Sequence, residues 1–123
     1  MIFDNFSTGR HENLKHIEGK IEIVEGDIRD LELLQKSMKD VDYVFHQAAL
    51  PSVPRSIDDP LESHNVNSTG SLNVLLAARD NDVKRVVYSS SSSVYGDQAE
   101  DQAKHESMSP NPLSPYALVK LSA

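Results

Sequence analysis

Residues 41–45 read VDYVF, a short and nearly all apolar segment that fits a single β-strand. A strand with apolar residues on both faces is typical of a parallel sheet that helices cover on both sides. Short apolar runs alternate with helically spaced segments along the rest of the chain. We therefore expect an α/β protein with a doubly wound parallel sheet.

Further elements are predicted on either side of this strand. Strands are expected at 1–3, 21–24 and 86–88, and helices at 11–17 with Thr8 as cap, at 31–38 with Asp30 as cap, at 61–81 and from Tyr116 to Ala123. The helix at 61–81 is expected to bury Val66, Leu72, Leu75, Leu76 and Ala78. Residues 48–59, which contain two prolines, are expected to form a loop. No internal repeat or linker marks a domain boundary.

Composition and charge exclude several classes of protein. The chain of 123 residues is long enough for one ordinary domain, and none of its apolar runs approaches the length of a membrane span. The net charge of −7 offers no electrostatic footprint for nucleic acid. There is no cysteine and no HExxH pattern, so we expect no metal site. The lack of cysteine fits a reducing cytoplasm.

A polar motif follows each of the four predicted strands. An acid at a strand end, such as Asp4, can accept both hydroxyls of an adenosine ribose and repels a 2′-phosphate, which favours NAD over NADP. Small residues such as Ala48 and Ala49 allow a ligand to approach the backbone, and Arg55 can bind phosphate. The four motifs are FDNFSTG (3–9), EGDIRD (25–30), HQAALPSVPRSI (46–57) and YSSSSSVYG (88–96).

Each motif also has an ordinary structural explanation. Asp4 and Asn5 can form a simple turn, Asp27 can solvate a loop, and Arg55 can be a surface arginine. The serine run can be a flexible loop. These explanations do not account for the common position of the motifs, because the carboxyl ends of parallel strands meet at the edge where open α/β sheets bind ligands.

The motif YALVK (116–120) places Tyr116 and Lys120 on one face of a helix, because they are four residues apart. A free phenol is a poor base at neutral pH, and a nearby ammonium group favours its phenolate. The alternative is an ordinary pair on the helix surface.

Together these motifs resemble the extended short-chain dehydrogenase/reductases, in the NAD-dependent nucleotide-sugar epimerase/dehydratase branch. The resemblance implies a Rossmann-type fold, an NAD cofactor and a UDP-sugar substrate, and the stretch HQAALPSVPRSIDDP looks most like UDP-N-acetylglucosamine 4-epimerases. The matching segments, in family order and spacing over essentially the whole chain, are DNFSTG, GDIRD, HQAA, SVPRSI, NVNSTGSLNVLLAA, SSSSVYGD and YALVK.

The resemblance also implies residue roles. Tyr116 would be the acid/base at the sugar 4-hydroxyl, Lys120 would favour its phenolate and bind the nicotinamide ribose, and Ser91 would hold the same 4-hydroxyl. The cofactor would be bound by Asp4, Asn5, Ser7, Gly9, Asp27, Ile28, Gln47, Ala48, Ala49, Tyr116 and Lys120, and the substrate by Ser52, Val53, Ser91, Ser92 and Tyr116. Asp27 in particular would meet the adenine amino group.

One position distinguishes the reactions of this family. Family 4,6-dehydratases carry an acidic pair directly after the residue that matches Ser91, because elimination of water needs another acid and base. Relatives that decarboxylate a sugar acid usually carry an acid where Ser93 stands. Ser92 and Ser93 therefore favour 4-epimerisation, with the dehydratase, the decarboxylase and a non-catalytic remnant or binding module as alternatives. Extended family members often form homodimers through the helix that bears YxxxK.

The family pattern begins with a strand and a GxxGxxG loop, and neither is found in this sequence. Residues 1–3 match the second strand of the order 3-2-1-4-5-6. We expect residues 1–123 to be an incomplete NAD-binding Rossmann domain, a fragment missing the first strand, the later strands and the substrate domain. Each unpaired buried backbone group costs about 1–3 kcal/mol, so we expect the isolated chain to fold poorly, to aggregate or to close the gap by an unusual pairing.

Overall fold

The computed structural model describes residues 1–97 and 103–123. The strands are β1 (Ile2–Asp4), β2 (Ile23–Glu25), β3 (Tyr43–His46) and β4 (Arg85–Tyr88). The helices are α1 (Leu31–Ser37), α2 (Val53–Asp58), α3 (Pro60–His64), α4 (Gly70–Asp80) and α5 (Pro115–Ser122). Residues His11–Ile17 and Ser92–Tyr95 form 3₁₀ turns, and a π-helical turn over Asn65–Thr69 joins α3 to α4.

The strands form two separate parallel pairs. In one pair, Ile2 of β1 lies opposite Ile23 of β2, and in the other, Tyr43 of β3 lies opposite Arg85 of β4. Within the described residues β1 and β3 share no ladder, so each keeps one unpaired edge. The expected partial α/β fold with parallel strands is confirmed, and the gap lies where the strand order predicted it.

Helices α1 and α4 pack together and against the strands to form the core. Gly70, at the start of α4, allows a close approach, because a Cβ atom there would lie only 2.5 Å from Cδ1 of Ile28. The buried apolar residues of this cluster are Ile28, Leu34, Met38, Val66, Val74, Ala77 and Ala78. This packing fixes the loop that follows β2 against α4.

The expectation that helices cover both faces of β3 is wrong for the described residues. Tyr43 and Phe45 remain 61% and 71% exposed, and Val87 of β4 is exposed on the adjacent strand. Alternate side chains of a strand point to opposite faces. One face of this sheet therefore packs against helices, while the other presents aromatic and aliphatic side chains without a covering layer.

The helix predictions were confirmed in part. Asp30 caps α1 as predicted, because its carboxylate accepts the N–H of Leu33 at 3.0 Å. Thr8 is not a cap, since the turn at 11–17 begins after Arg10 without a side-chain cap. Residues 48–59 are not only a loop, because α2 forms within them. Pro54 is compatible with α2, since the first helical turn has no partner for a backbone N–H.

The apolar face predicted for residues 61–81 is partly wrong. Leu72 and Leu75 are exposed, whereas Val74, Ala77 and Ala78 are buried. The π-helical turn at 65–69 adds a residue, which rotates later positions by about 100° relative to a regular α-helix. Val74 and two alanines thus face the core, while Leu72 and Leu75 face outward.

Candidate active site

A cleft of about 690 Å³ opens between the unpaired edges of β1 and β3. Its floor is apolar and includes Leu34, Val44, Val66 and Val74. Its rim is formed by segments that follow the strands, as the common position of the motifs predicted. The predicted cofactor residues that line it are Asp4, Asn5, Ser7, Gly9, Ile28, Gln47, Ala48 and Ala49.

The segment after β1 forms turns held by its own side chains. The Oδ1 atom of Asp4 accepts the N–H of Phe6 at 2.8 Å, and the Oδ1 atom of Asn5 accepts the N–H of Ser7 at 3.0 Å. These are Asx turns, so the ordinary explanation of this motif is also correct. The turns hold the Asp4 carboxylate at the rim of the cleft.

Asp27 does not itself line the cleft, but it is the centre of an ion-pair network with Asn5 and Arg29, which do. Its Oδ1 atom accepts the N–H and Nε of Arg29, both at 2.9 Å, and its Oδ2 atom accepts Nη2 of Arg29 at 2.8 Å and Nδ2 of Asn5 at 3.0 Å. The hydrogen bonds from Arg29 hold the pKa of Asp27 well below its usual range. These bonds use the acceptor positions that a carboxylate offers. If Asp27 contacts an adenine amino group, as predicted, that group must share one of these acceptor positions with Arg29 or Asn5.

Arg29 links this rim to α3. Its Nη1 atom donates to both carboxylate oxygens of Glu62, at 3.0 and 3.1 Å. Both residues line the cleft. Sequence reasoning missed this pair, because the two residues are 33 positions apart and only the fold brings them together.

Helix α5 carries Tyr116 and Lys120 and is anchored along its length. The N–H of Tyr116 donates to Oγ of Ser56 in α2 at 3.0 Å. Nζ of Lys120 donates to the carbonyl of Ser89 at 2.8 Å, and Oγ of Ser90 donates to the carbonyl of Lys120 at 3.2 Å. Lys120 is only 4% exposed, and this burial lowers its pKa. Lys120 is thus not a surface residue, and Tyr116 is half-buried.

Tyr88 and His46 lie beside Lys120 and were not predicted as site residues. Nζ of Lys120 lies 4.7 Å from the centroid of the Tyr88 ring, and burial followed by the nearby Tyr116 raises the pKa of Tyr88. The His46 ring is buried, and its Nε2 lies 2.8 Å from Oγ of Ser71. Burial, followed by the charge of Lys120, lowers the pKa of His46 to about 4. Their positions at the carboxyl ends of β4 and β3 could have identified them as site residues, because ligands bind at that edge of a parallel sheet.

The serine run forms an ordered turn against α5. Oγ of Ser91 accepts the N–H of Ser93 at 3.2 Å and donates to Oγ of Ser93 at 3.0 Å. Ser92 is exposed, and its carbonyl accepts Nζ of Lys104 at 3.3 Å. The turn at 92–95 packs against α5. The structure thus places Ser91 and its neighbours beside the helix that bears Tyr116.

The predicted substrate residues Ser52 and Val53 lie at the start of α2, which packs against α5. Both are exposed and lie outside the cleft lining. The preceding Leu50 is held by Asn67, whose amide accepts its N–H at 2.8 Å and donates to its carbonyl at 3.1 Å. Asn67 is fully buried and was missed as a site residue, although it lies in the family motif NVNSTG.

Comparison with known protein families identifies the family of this chain. A model described as the NAD dependent epimerase/dehydratase family matches residues 2–123. The chain belongs to this family. The Rossmann-type fold class and the NAD cofactor predicted from the sequence are thereby confirmed. Among the residues that the structure describes, no helix is long and apolar enough to cross a membrane, and no group of three or more His, Asp or Glu side chains could hold a metal ion.

Three solved structures of similar proteins illustrate the range of the family. UDP-N-acetylglucosamine 4-epimerase from Methanobrevibacter ruminantium, in complex with UDP-N-acetylmuramic acid, is 43% identical, with a TM-score of 0.89 over 98% of this chain. UDP-glucose 4-epimerase from Thermus thermophilus, in complex with NAD, is 35% identical, with a TM-score of 0.89 over 96%. The dTDP-glucose 4,6-dehydratase DesIV from Streptomyces venezuelae, with NAD and TYD bound, is 34% identical, with a TM-score of 0.91 over 98%. This chain spans 39%, 38% and 38% of those chains, respectively.

The residues at the cleft fit NAD by their chemistry. Oδ1 of Asp4 is used by the turn, whereas Oδ2 accepts no hydrogen bond in the described ranges and can take ribose hydroxyls. Gly9 lies against this carboxylate, because a Cβ atom there would be 3.5 Å from both of its oxygens. Because glycine has no Cβ atom, there is room beside the Asp4 carboxylate for a ribose.

Proposed function

We propose that this chain is the central part of a cytoplasmic, NAD-dependent nucleotide-sugar 4-epimerase that acts on a UDP-hexose or UDP-N-acetylhexosamine. The proposal rests on membership of the family, on the cleft between β1 and β3, and on the anchored helix that carries Tyr116 and Lys120.

The turn around Ser91 is the observation that favours epimerisation. The position where decarboxylating relatives usually carry an acid is Ser93, whose hydroxyl accepts that of Ser91 at 3.0 Å. Ser92, the other position of the dehydratase acidic pair, is an exposed serine. A hydroxyl is a much weaker acid and base than a carboxylate near neutral pH, so this turn supplies no second acid–base pair for eliminating water.

Tyr116 and Ser91 divide the proton chemistry in this proposal. Tyr116 takes the proton of the sugar 4-hydroxyl and later returns it, while Ser91 hydrogen-bonds the same oxygen. Lys120, which is buried, held by Ser89 and placed beside the Tyr88 ring, binds the nicotinamide ribose in this proposal. Bound NAD supplies the hydride acceptor and then the hydride donor, so it is regenerated in each turnover. Asp4 and the alanines after β3 hold it in place.

The test uses the native protein that contains these residues. It is incubated with NAD and, separately, with UDP-glucose, UDP-N-acetylglucosamine and dTDP-glucose, and the products are identified by NMR. Inversion at C4 of a UDP-sugar is the expected result. Loss of water to give a 4-keto-6-deoxy sugar would instead support the dehydratase, and no turnover of any of the three would support a non-catalytic binding module.

We also propose that residues 1–123 are an incomplete NAD-binding domain. The apolar floor of the cleft takes one more parallel strand, and the segments that follow β1 and β3 at its rim remain free for NAD. The unpaired edges of β1 and β3 lie on either side of the cleft, and its floor is apolar. A strand placed there would satisfy both edges and join the two pairs into one sheet.

The 123-residue chain purified alone is accordingly expected to show no cooperative thermal transition. Two open edges remove several backbone hydrogen bonds, while the net stability of a domain is only about 5–15 kcal/mol. Circular dichroism during heating measures this. A sharp transition from a state with native sheet content would contradict the proposal of a missing central strand.

A second copy of the protein is proposed to cover the outer faces of α4 and α5. Oγ of Ser68, in the π-helical turn that leads into α4, lies 3.3 Å from Oγ of Ser122 at the end of α5, so the end of α5 lies beside the start of α4. Both helices present exposed leucines, and exposed apolar surface of this kind can mark a contact with another protein. These leucines are Leu72 and Leu75 of α4 and Leu118 and Leu121 of α5.

Replacing Leu118 by Glu is expected to convert the dimer of the native protein into a monomer, because it places a charge in the apolar contact. Light scattering after size-exclusion chromatography gives the mass. Leu113→Glu is the matched control, since Leu113 is equally exposed but lies outside both helices. A monomeric wild-type protein, or a dimer that persists in Leu118→Glu, would contradict the proposed interface.

A further inference from the structure

We propose that Ser56 is a positioning residue that fixes Tyr116 relative to the turn at Ser52 and Val53, an inference that rests on the proposed function. The Ser56 side chain is 1% exposed and lies where α2 meets the start of α5. Its hydroxyl serves both elements at once, since it accepts from Tyr116 and donates to Val53.

The first turn of α5 shows why a residue outside the helix is needed. The first backbone N–H groups of a helix have no partner within it. Pro115 has no N–H, and the N–H of Ala117 is capped by Oγ of Ser114 at 3.1 Å. The N–H of Tyr116 remains, and Ser56 accepts it at 3.0 Å from a position 60 residues earlier in the chain. The backbone of the proposed acid/base is therefore held by α2.

The other bond of Ser56 lies within the first turn of α2 and holds its first residue, Val53. Its Oγ donates to the carbonyl of Val53 at 2.8 Å. The adjacent Ser52 has a φ angle of 113°, a value that residues other than glycine rarely adopt. Such a conformation persists only where the surrounding contacts impose it. Here Asn67 fixes Leu50 on one side of Ser52, and Ser56 fixes Val53 on the other.

One hydroxyl thus connects the proposed sugar-binding turn to the proposed acid/base. Proton transfer requires the phenol oxygen and the sugar 4-hydroxyl to be within hydrogen-bond distance. A displacement of about 1 Å at a reacting group can lower a rate about 100-fold. Removing the Ser56 hydroxyl would free Tyr116 and Val53 to move relative to each other without altering any group that touches the substrate.

Amide hydrogen exchange tests the contact without any substrate. In Ser56→Ala, the amide of Tyr116 is expected to exchange about 10-fold faster than in the wild-type protein, because it loses its acceptor. The amide of Ala117 is the internal control, since Ser114 still caps it. NMR on the native protein that contains these residues measures both. Equal exchange at Tyr116 in the two proteins would overturn the proposal.

Steady-state kinetics test the consequence. Ser56→Ala is expected to lower kcat for C4 inversion about 10- to 100-fold while KM changes much less. Ser63→Ala is the matched control, because Ser63 is a buried serine that does not contact Tyr116, and its replacement leaves both bonds between Asn67 and Leu50 in place. An equal loss of kcat in both variants, or a loss confined to KM, would overturn the positioning role.

A loss of stability and a failure of the proposed function can each be distinguished from a failure of the positioning role. If Ser56→Ala lowers the unfolding midpoint far more than Ser63→Ala, Ser56→Cys replaces it, because cysteine has nearly the same size and is a weaker hydrogen-bond partner. If the wild-type protein turns over none of the sugars, the proposed function fails, and hydrogen exchange still decides whether Ser56 holds Tyr116.

Discussion

Replacing Tyr116 by Phe is expected to lower kcat for C4 inversion by about 10²- to 10⁴-fold, the usual contribution of a general acid/base. Phenylalanine keeps the ring and removes only the phenol O–H. The backbone bond from residue 116 to Ser56 and the cap at Ala117 do not involve the phenol, so α5 is expected to remain in place. The loss should therefore appear in kcat, with KM for the nucleotide sugar and the affinity for NAD nearly unchanged.

Initial rates followed by NMR on the native protein, with NAD binding followed by fluorescence, measure this effect. Tyr43→Phe is the matched control, because Tyr43 also loses only a phenol O–H and lies exposed on β3. A Tyr116→Phe protein that inverts C4 within twofold of the wild-type rate would exclude Tyr116 as the acid/base. A similar loss in Tyr43→Phe would show that the effect is not specific to the site.

The features that the sequence predicted correctly depend on local patterns. Asp30 caps α1 because a carboxylate just before a helix reaches a nearby N–H. The rim of the cleft was predicted because the segments after parallel strands meet at one edge of the sheet, which brings Asp4 and Ala48 to the same cleft although they lie far apart in the chain.

The features that the sequence did not predict depend on distant partners. Ser56 meets Tyr116 across 60 residues, and Asn67 meets Leu50 across 17. From the sequence alone, a buried serine or asparagine with a distant partner cannot be distinguished from one in an exposed turn. Helix α2 was missed because Pro54 was taken as a loop residue, although a proline in the first helical turn is compatible with the helix.

His46 shows how such a distant contact becomes a measurable property. Its buried ring contacts Ser71 of α4, and its centroid lies 5.3 Å from that of the Tyr88 ring. The positive charge of Lys120 in α5 also acts on it. Burial and that positive charge both disfavour a proton on the imidazole. Protonation of His46 therefore lowers the stability of the cluster around Lys120.

We expect His46 to make its own contribution to the pH dependence of stability. This contribution lowers the free energy of unfolding of the native protein as the pH drops from about 6.5 to 4. In the unfolded chain a histidine takes up its proton near pH 6.5, whereas in the folded protein the pKa of His46 is about 4. Between these values the unfolded state binds a proton that the folded state does not, so the free energy of unfolding falls by about 1.4 kcal/mol per pH unit. Above pH 6.5 neither state is protonated, and this dependence disappears.

Replacing His46 by Gln is expected to remove this dependence, because a glutamine amide can approximate the contact of Nε2 with Ser71 and does not titrate. From pH 7.5 to 4.5 the wild-type protein should lose about 2–3 kcal/mol more than His46→Gln, as measured by urea unfolding. His64→Gln is the matched control, since His64 is exposed on α3. The pairing of Asp27 with Arg29 is the same in all three proteins, so its effect at lower pH cancels in the comparison. Equal losses in the wild-type protein and His46→Gln would show that His46 accepts a proton in the folded state, and that the ring is not held neutral by its surroundings.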